Sequence, residues 1–292
     1  MEIPSHILKK VKMLEIQTRK LVTNVLAGEY HTRFKGQGMS FADFREYVPG
    51  DDVRSISWSL TAKAGKPYIK RFDEERELTL LLAVDVSGST EFGSKEFLKA
   101  EVLTFVAALL GFAAEKNRDQ VGLLLFSDKV EHFVPPSKGR GHILRILRDL
   151  FYFKPESSKT DIKIAVDYLL GIVKKRASIF LMSDFMDEEC ERSLKLLSRK
   201  HDVAACVVED PMESAFANLG LLDLQDSETG EIFTVDASSK AFQQSLAGYQ
   251  QEWKNQRDRF FKSANIERIL LTTEGDYSKP IVEYFKKRKR KK

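Results

Sequence analysis

Two carboxylates and three hydroxyls stand where strands should end and helices begin. Asp85, Ser87 and Ser89 close the stretch LLLAVDVSGS; Asp184 follows the apolar run IFLM by two residues; Thr160 sits in SSKTDIKIAV, at the start of a helical pattern. Close carboxylates repel, and one of such a pair ordinarily stays protonated unless a cation joins them. Every candidate donor is oxygen, with no His or Cys among them, which argues against zinc or copper and for a hard dication. Mg²⁺ takes about six oxygens at ~2.0–2.1 Å and retains waters, so neutral hydroxyls with outer-sphere carboxylates suit it. Manganese is a tolerated substitute, whereas calcium would recruit more direct carboxylates. Each fragment alone could serve an ordinary structural end. Ser89 or Ser94 could cap the next helix, and Thr160 with Asp161 makes a helix start by itself.

The elements that must gather these residues are legible from periodicity. Strands are expected at 78–86, 121–126, 130–134, 177–182, 203–208 and 266–272, and helices at 94–116, 141–151, 161–175, 188–199, 238–263 and 278–287. LTLLLAV and ASIFLM are apolar on successive residues, as strands covered on both faces by helices are. Alternation of such strands with helices predicts an α/β fold, a doubly wound and mostly parallel sheet. In that architecture ligands gather outside the carboxyl ends of the strands, where strand order reverses. A hairpin, GLLDLQDSETGEIFTVDA, is expected between the fifth strand and the long helix, turning at 228–230.

Upstream, apolar residues at helical spacing predict a helix over 5–26. Residues 28–76 are broken by Gly36, Gly38, Gly50, Gly65, Pro49 and Pro67 into a small irregular module, with short β-segments expected at 55–59 and 68–72. The chain therefore divides into 1–76 (helix plus irregular module), 77–285 (α/β domain) and a basic tail, 286–292. His31, Arg45, Asp51, Arg54 and Trp58 could form a surface; the plainer expectation is that Arg and Asp pair internally while Trp58 packs against the sheet.

Of the 292 residues, 42% are hydrophobic and 31% charged, as in ordinary globular proteins. No apolar run reaches membrane-span length and no secretory leader is evident, so a cytoplasmic location is expected. Cys190 and Cys206 lack metal-ligand or redox spacing and read as buried thiols. His132, His142 and His201 stand apart in sequence from each other and from acids. The net charge of +4 comes from the end of the chain: without KKRKRKK the body carries −3. That argues against a nucleic-acid reader and for a solvated, disordered tail. Catalytic patterns are missing as well: Ser87 replaces the second Asp of a phosphoaspartyl hydrolase, and there is no GxSxG, phosphate loop or dinucleotide fingerprint.

Asp-x-Ser-x-Ser after a strand, then a Thr, then an Asp after another strand resembles the metal-ion-dependent adhesion site of von Willebrand factor A domains. The resemblance implies that Ser87, Ser89 and Thr160 ligate Mg²⁺ directly or nearly so, and that Asp85 and Asp184 act mainly through water. An acidic side chain of a protein partner would complete the coordination. GEYHTRFKGQGMSFADFREYVPGDDVRSISW, followed by an Ala-Lys pair and YIKRFDEE, resembles the signature of domain-of-unknown-function family 58. It is carried by Gly36, Gly38, Phe44, Arg45, Tyr47, Gly50, Asp51, Asp52, Arg54, Ile56, Trp58 and Lys70; Ser57 and Lys63 depart from it. Many members are encoded beside MoxR-type AAA+ ATPases. The implied function is a non-enzymatic, magnesium-dependent adaptor in a bacterial cytoplasm, coupling client proteins to such an ATPase for assembly or activation. The alternatives are a metal-dependent phosphoester hydrolase, or tail-driven binding to nucleic acid or anionic membrane.

Overall fold

The computed structural model describes residues 39–74, 78–94, 97–187, 190–214, 220–226 and 230–290, with isolated positions between 13 and 22. The expected helix over 5–26, His31, Gly36 and Gly38 thus fall largely or wholly outside the described residues, as does most of the turn at 228–230.

Six strands form the central sheet: β3 (Thr79–Asp85), β4 (Gln120–Phe126), β5 (Val130–Ser137), β6 (Ser178–Ser183), β7 (Asp202–Glu209) and β10 (Glu267–Thr272). Their order is β10-β7-β6-β3-β4-β5, all parallel except β5, which returns antiparallel along β4. The chain leaves β3 toward β4 and β5, then crosses to the other side to build β6, β7 and β10. Strand order therefore reverses between β3 and β6, which are direct neighbours, with Val84 opposite Met182. Every residue of β6 and all but the first of β3 are buried, as strands covered on both faces must be. At the far edge β5 carries Pro135 and Pro136 beside a bulge opposite Gly122.

Helices α2 (Lys99–Lys116), α3 (Arg140–Tyr152) and α8 (Ser278–Arg290) belong to one face; α4 (Ile162–Ile172), α5 (Glu191–Lys200) and the end of α7 (Lys240–Ser263) to the other. The centre of α2, VLTFVAALLGFAA, is apolar all round, and residues 102–114 are buried between the sheet and α3 and α8. By contrast α5 places only Ser193, Leu194 and Leu197 inward, one stripe of an amphipathic helix. The expected hairpin is β8 (Leu221–Gln225) with β9 (Ile232–Asp236).

Three expectations need correction. First, α2 starts at Lys99 rather than 94, because Ser94 gives both its N–H and its hydroxyl to Asp210 instead of capping a helix. Second, residues 55–59 are not a β-segment. Ile56 makes a single bridge to Ile69, and α1 (Trp58–Ala64) begins directly after, stopped by Gly65 at φ +69°. The antiparallel partner of β2 (Tyr68–Glu74) is instead β1 (Met39–Glu46), which the glycine-rich reading missed. Third, α8 continues to Arg290, so five residues of the supposedly disordered tail are helical. Lys and Arg are good helix formers, and positive charge is favoured at a helix C-terminus. In the N-terminal module Arg45 pairs with Asp51 through two hydrogen bonds of 2.7 and 2.9 Å, as expected. Trp58 does not pack on the sheet; it is 69% exposed.

Candidate functional site

The three separated clusters meet at the crest of the sheet, on the carboxyl side of β3 and β6. Asp85, the last residue of β3, is 1% exposed. Its Oδ1 accepts the Ser87 N–H at 2.9 Å and its Oδ2 accepts the Ser183 hydroxyl at 2.7 Å, so β6 holds the carboxylate of β3 in place. Ser87 Oγ and Ser89 Oγ lie 3.2 Å apart, and Thr90 Oγ1 donates to the Ser87 carbonyl at 2.7 Å, folding residues 88–91 into a tight helical turn. The segment bearing Thr160 is clamped on both sides. Gly88 N–H donates to Ser158 O at 2.8 Å, and Asp161 N–H donates to Ser127 O at 3.1 Å, next to the end of β4. Asp161 then caps α4 by accepting from Ile164 N, which leaves Thr160 free of a capping duty. Its Oγ1 is buried with no hydrogen-bond partner.

Asp184 follows β6 and is also buried. The next residue, Phe185, has φ +57°, a left-handed backbone that costs a bulky side chain roughly 1–2 kcal/mol. Its ring is held edge-on to Phe261 at 5.2 Å, packing that keeps the reversal in place. Asp184 lies close enough to oppose the ionisation of Asp85. Burial first, and then the charge of Asp184, push the Asp85 carboxyl up to about 7, against the hydrogen bonds from Ser183 and Ser87 that favour its charged form.

Sequence reasoning missed the cation at the centre of this crest. Lys99, 1% exposed, lies 3.2 Å from Asp184 Oδ2 and also pairs with Glu213 on the short helix α6 (Pro211–Ser214). Burial disfavours its charge, but Asp184 and Glu213 outweigh that and raise its pKa above the ordinary lysine value. The available signal was its register: Lys99 shares a helix face with Leu103, Val106 and Leu110, all buried, so its position was a core position. Ser183 was missed too, although it directly precedes Asp184. Behind Lys99, Arg257 donates to Glu209 at 2.7 Å and to the Asp184 carbonyl at 3.4 Å, and Lys254 pairs with Glu209 at 2.8 Å. Asp210 accepts from Ser94 and Thr273. Across this connected crest five carboxylates (Asp85, Asp184, Glu209, Asp210 and Glu213) face three cations (Lys99, Lys254 and Arg257), an excess of two negative charges when all are ionised.

The donor chemistry accommodates a hard dication. A serine pair and two carboxylates come together here, and the neighbouring segment carries an unpartnered buried hydroxyl. Because Lys99 occupies one oxygen of Asp184, that carboxylate is better suited to holding a metal-bound water than to direct ligation. Among the described residues, no three His, Cys, Asp or Glu side chains are grouped as a carboxylate-rich metal cage. The histidines play local parts: His142 contacts the Val121 carbonyl at 2.8 Å, His201 Nδ1 accepts from Ala177 N–H, and His132 lies 3.4 Å from Asp149. Cys190 and Cys206 are buried free thiols, and burial raises both pKa values, that of Cys190 to about 12.

Sheet order and helix placement together define a doubly wound, mostly parallel α/β domain preceded by a small β-containing module. The chain belongs to the family described as protein of unknown function DUF58, whose model matches residues 43–259. It is 27% identical over 286 residues to an uncharacterised protein of Mycobacterium tuberculosis H37Rv, covering 96% of this chain and 89% of that protein. A Mycobacterium avium protein is 28% identical over 163 residues, 54% of this chain and 94% of the other. Among solved structures, the conserved hypothetical protein BatB from Bacteroides thetaiotaomicron aligns at 14% identity with a TM-score of 0.48, covering 73% of this chain and 99% of that one. The SpRpn10 VWA domain aligns at 12% identity with a TM-score of 0.38, covering 70% and 94%. Among the described residues no helix is long and apolar enough to cross a membrane.

Proposed function

We propose that this protein is a non-catalytic adaptor whose crest binds Mg²⁺, or Mn²⁺ in its place, and through it an acidic side chain of a protein partner. The observation that carries this reading is the buried, unpartnered Thr160 hydroxyl, on a segment that is hydrogen-bonded to Gly88 of the serine turn after Asp85 and to Ser127 at the end of β4. A bound dication would supply Lewis-acid attraction for a carboxylate. Ser87, Ser89 and Thr160 would offer it hydroxyl oxygens, and Asp85 and Asp184 would orient its waters. Lys99 holds the Asp184 carboxylate in position, and Ser183 does the same for Asp85. The resemblance to family 58 proteins adds a MoxR-type AAA+ ATPase and its clients on the partner side, in the cytoplasm.

Calorimetry with magnesium tests the site directly. The wild-type chain is expected to bind one ion, and Thr160→Val, which keeps the side-chain shape, to bind it at least several-fold more weakly. Absence of magnesium and manganese uptake by folded protein refutes the reading. Partner binding is expected to disappear with chelator and with Asp85→Ala; equal recovery in all conditions would leave the fold without this function.

A further inference from the structure

The two borders of the central sheet are built differently. At one, β5 carries two prolines and a bulge. At the other, β10 (ERILLT) has neither, and its residues keep an unbroken parallel register along β7. In a parallel pair, alternate residues turn their N–H and C=O to one neighbour, and the residues between turn theirs away. Thr273 N–H donates to the Glu209 carbonyl at 3.2 Å, in step with that register. Residues 269, 271 and 273 therefore serve β7, while Arg268, Leu270 and Thr272 present their backbone groups outward. Among the described residues no strand pairs with that side of β10.

Along this border runs a slot of about 760 Å³, lined by residues 266–270 of the strand. Phe261 and Lys262 of α7 and Pro280 and Tyr284 of α8 contribute its walls. Leu270 packs in the core cluster shared with α7, and Ile269 and Leu271 pack in the one shared with α8. An unpaired ladder between two covering helices has the layout of a place for one more strand. A polypeptide backbone supplies donors and acceptors at the spacing of such a ladder, and added side chains would meet the two helices in alternation. The charge of the wall narrows the occupant further. Helix α8 carries six basic residues and one acid, which favours an acidic visitor. An antiparallel two-fold pairing of β10 with its own copy would set one basic α8 beside another, which disfavours a second chain as the occupant.

We propose that β10 is a docking edge for an extended, acidic segment of another protein, which adds to the sheet as a further strand between α7 and α8. This goes beyond the adaptor reading and needs no metal at the crest.

Two measurements on the full chain in the presence of chelator test it. In the free protein, the amides of Arg268, Leu270 and Thr272 should exchange hydrogen at least about tenfold faster than those of Ile269 and Leu271. An array of tethered, blocked octapeptides permuting Glu, Asp, Lys, Val, Ile and Thr is then probed with labelled protein. The expected result is capture of peptides that combine acids with β-branched residues, and loss of capture when lysine replaces the acids. In the best peptide, N-methylation should weaken binding about three- to tenfold at every second residue and by less than about twofold at those between. Arg268→Pro removes one outward donor and no bond to β7, so it should weaken the same peptide. Arg268→Thr, which loses the same side chain but keeps the N–H, should retain binding. If Arg268→Pro fails to fold, the N-methyl series decides alone. Slow exchange of the three outward amides in dilute free protein, or protection that grows with protein concentration, would overturn the proposal, the latter by giving the edge to a second copy. N-methyl losses without a two-residue alternation, or no capture on the array, would overturn it as well.

Discussion

Replacing Lys99 by methionine is the sharpest single perturbation of the crest. The substitution keeps an unbranched side chain of similar reach but deletes a charge that touches two carboxylates. Asp184 is left buried without its cation, whereas Glu213 is about a third exposed and can turn to water. Removing one partner of a buried pair costs about 3–5 kcal/mol, and here the cost falls mainly on Asp184. For a domain of this size that is a fall in melting temperature of roughly 6–20 °C. Thermal and urea unfolding at pH 8, where protonation would least relieve the orphaned carboxylate, should show the loss. Asp184→Asn in the same chain should restore part of it, since the charge left unpaired is then gone. Magnesium should stabilise Lys99→Met more than wild type, because the ion would meet two uncompensated carboxylates instead of one. The wild-type lysine carries a raised pKa, so its contribution is complete below the unfolded lysine value and fades only as pH climbs through the folded one, in the strongly alkaline range. An unchanged unfolding midpoint, or equal magnesium stabilisation of both proteins, would refute the account of the crest.

Other outcomes follow from the same contacts. In metal-free protein, Asp85 has its pKa raised to about 7, so the folded state holds that proton more tightly than the unfolded chain. Stability should therefore decline as pH rises from about 4 to about 7, by on the order of 4 kcal/mol, and Asp85→Asn should flatten the slope in urea titrations. Gly122→Ala should destabilise by about 1–3 kcal/mol, because the new Cβ would lie 2.7 Å from Leu81 Cδ2 and 3.0 Å from Pro136 Cγ, a clash readable in chemical denaturation. Trp58→Ser should leave the unfolding midpoint within about 0.5 kcal/mol of wild type, as its indole is mostly in solvent.

The sheet was readable because its strands are apolar on consecutive residues, a pattern that at this length seldom arises except in a strand covered on both faces. The order of polar clusters at strand ends was enough to bring Asp85 and Asp184 to one crest, since neighbouring parallel strands open to the same side. What stayed hidden depends on tertiary contact. Ser94 looked like a helix cap until Asp210, distant in sequence, claimed both its donors. Lys99 carried no signal in the sequence, because a single lysine within a helical pattern is common and only burial reveals the pairing. Strand β1 was obscured by the glycines just before it. The helical run through Lys286 and Lys287 was masked by a composition that reads as solvated whether or not the backbone coils.

The two prolines of β5 bear on how partners can attach. A strand bordering a sheet is normally a template on which another polypeptide can lay itself down, using backbone N–H groups that face outward. Consecutive imino acids offer none, and they interrupt the ladder a newcomer would need. Growth of the sheet past that border is thereby discouraged, both for a foreign segment and for a second copy of the chain. Recruitment through side chains gathered at the strand tips is compatible with such a border, and so is survival as a non-aggregating monomer.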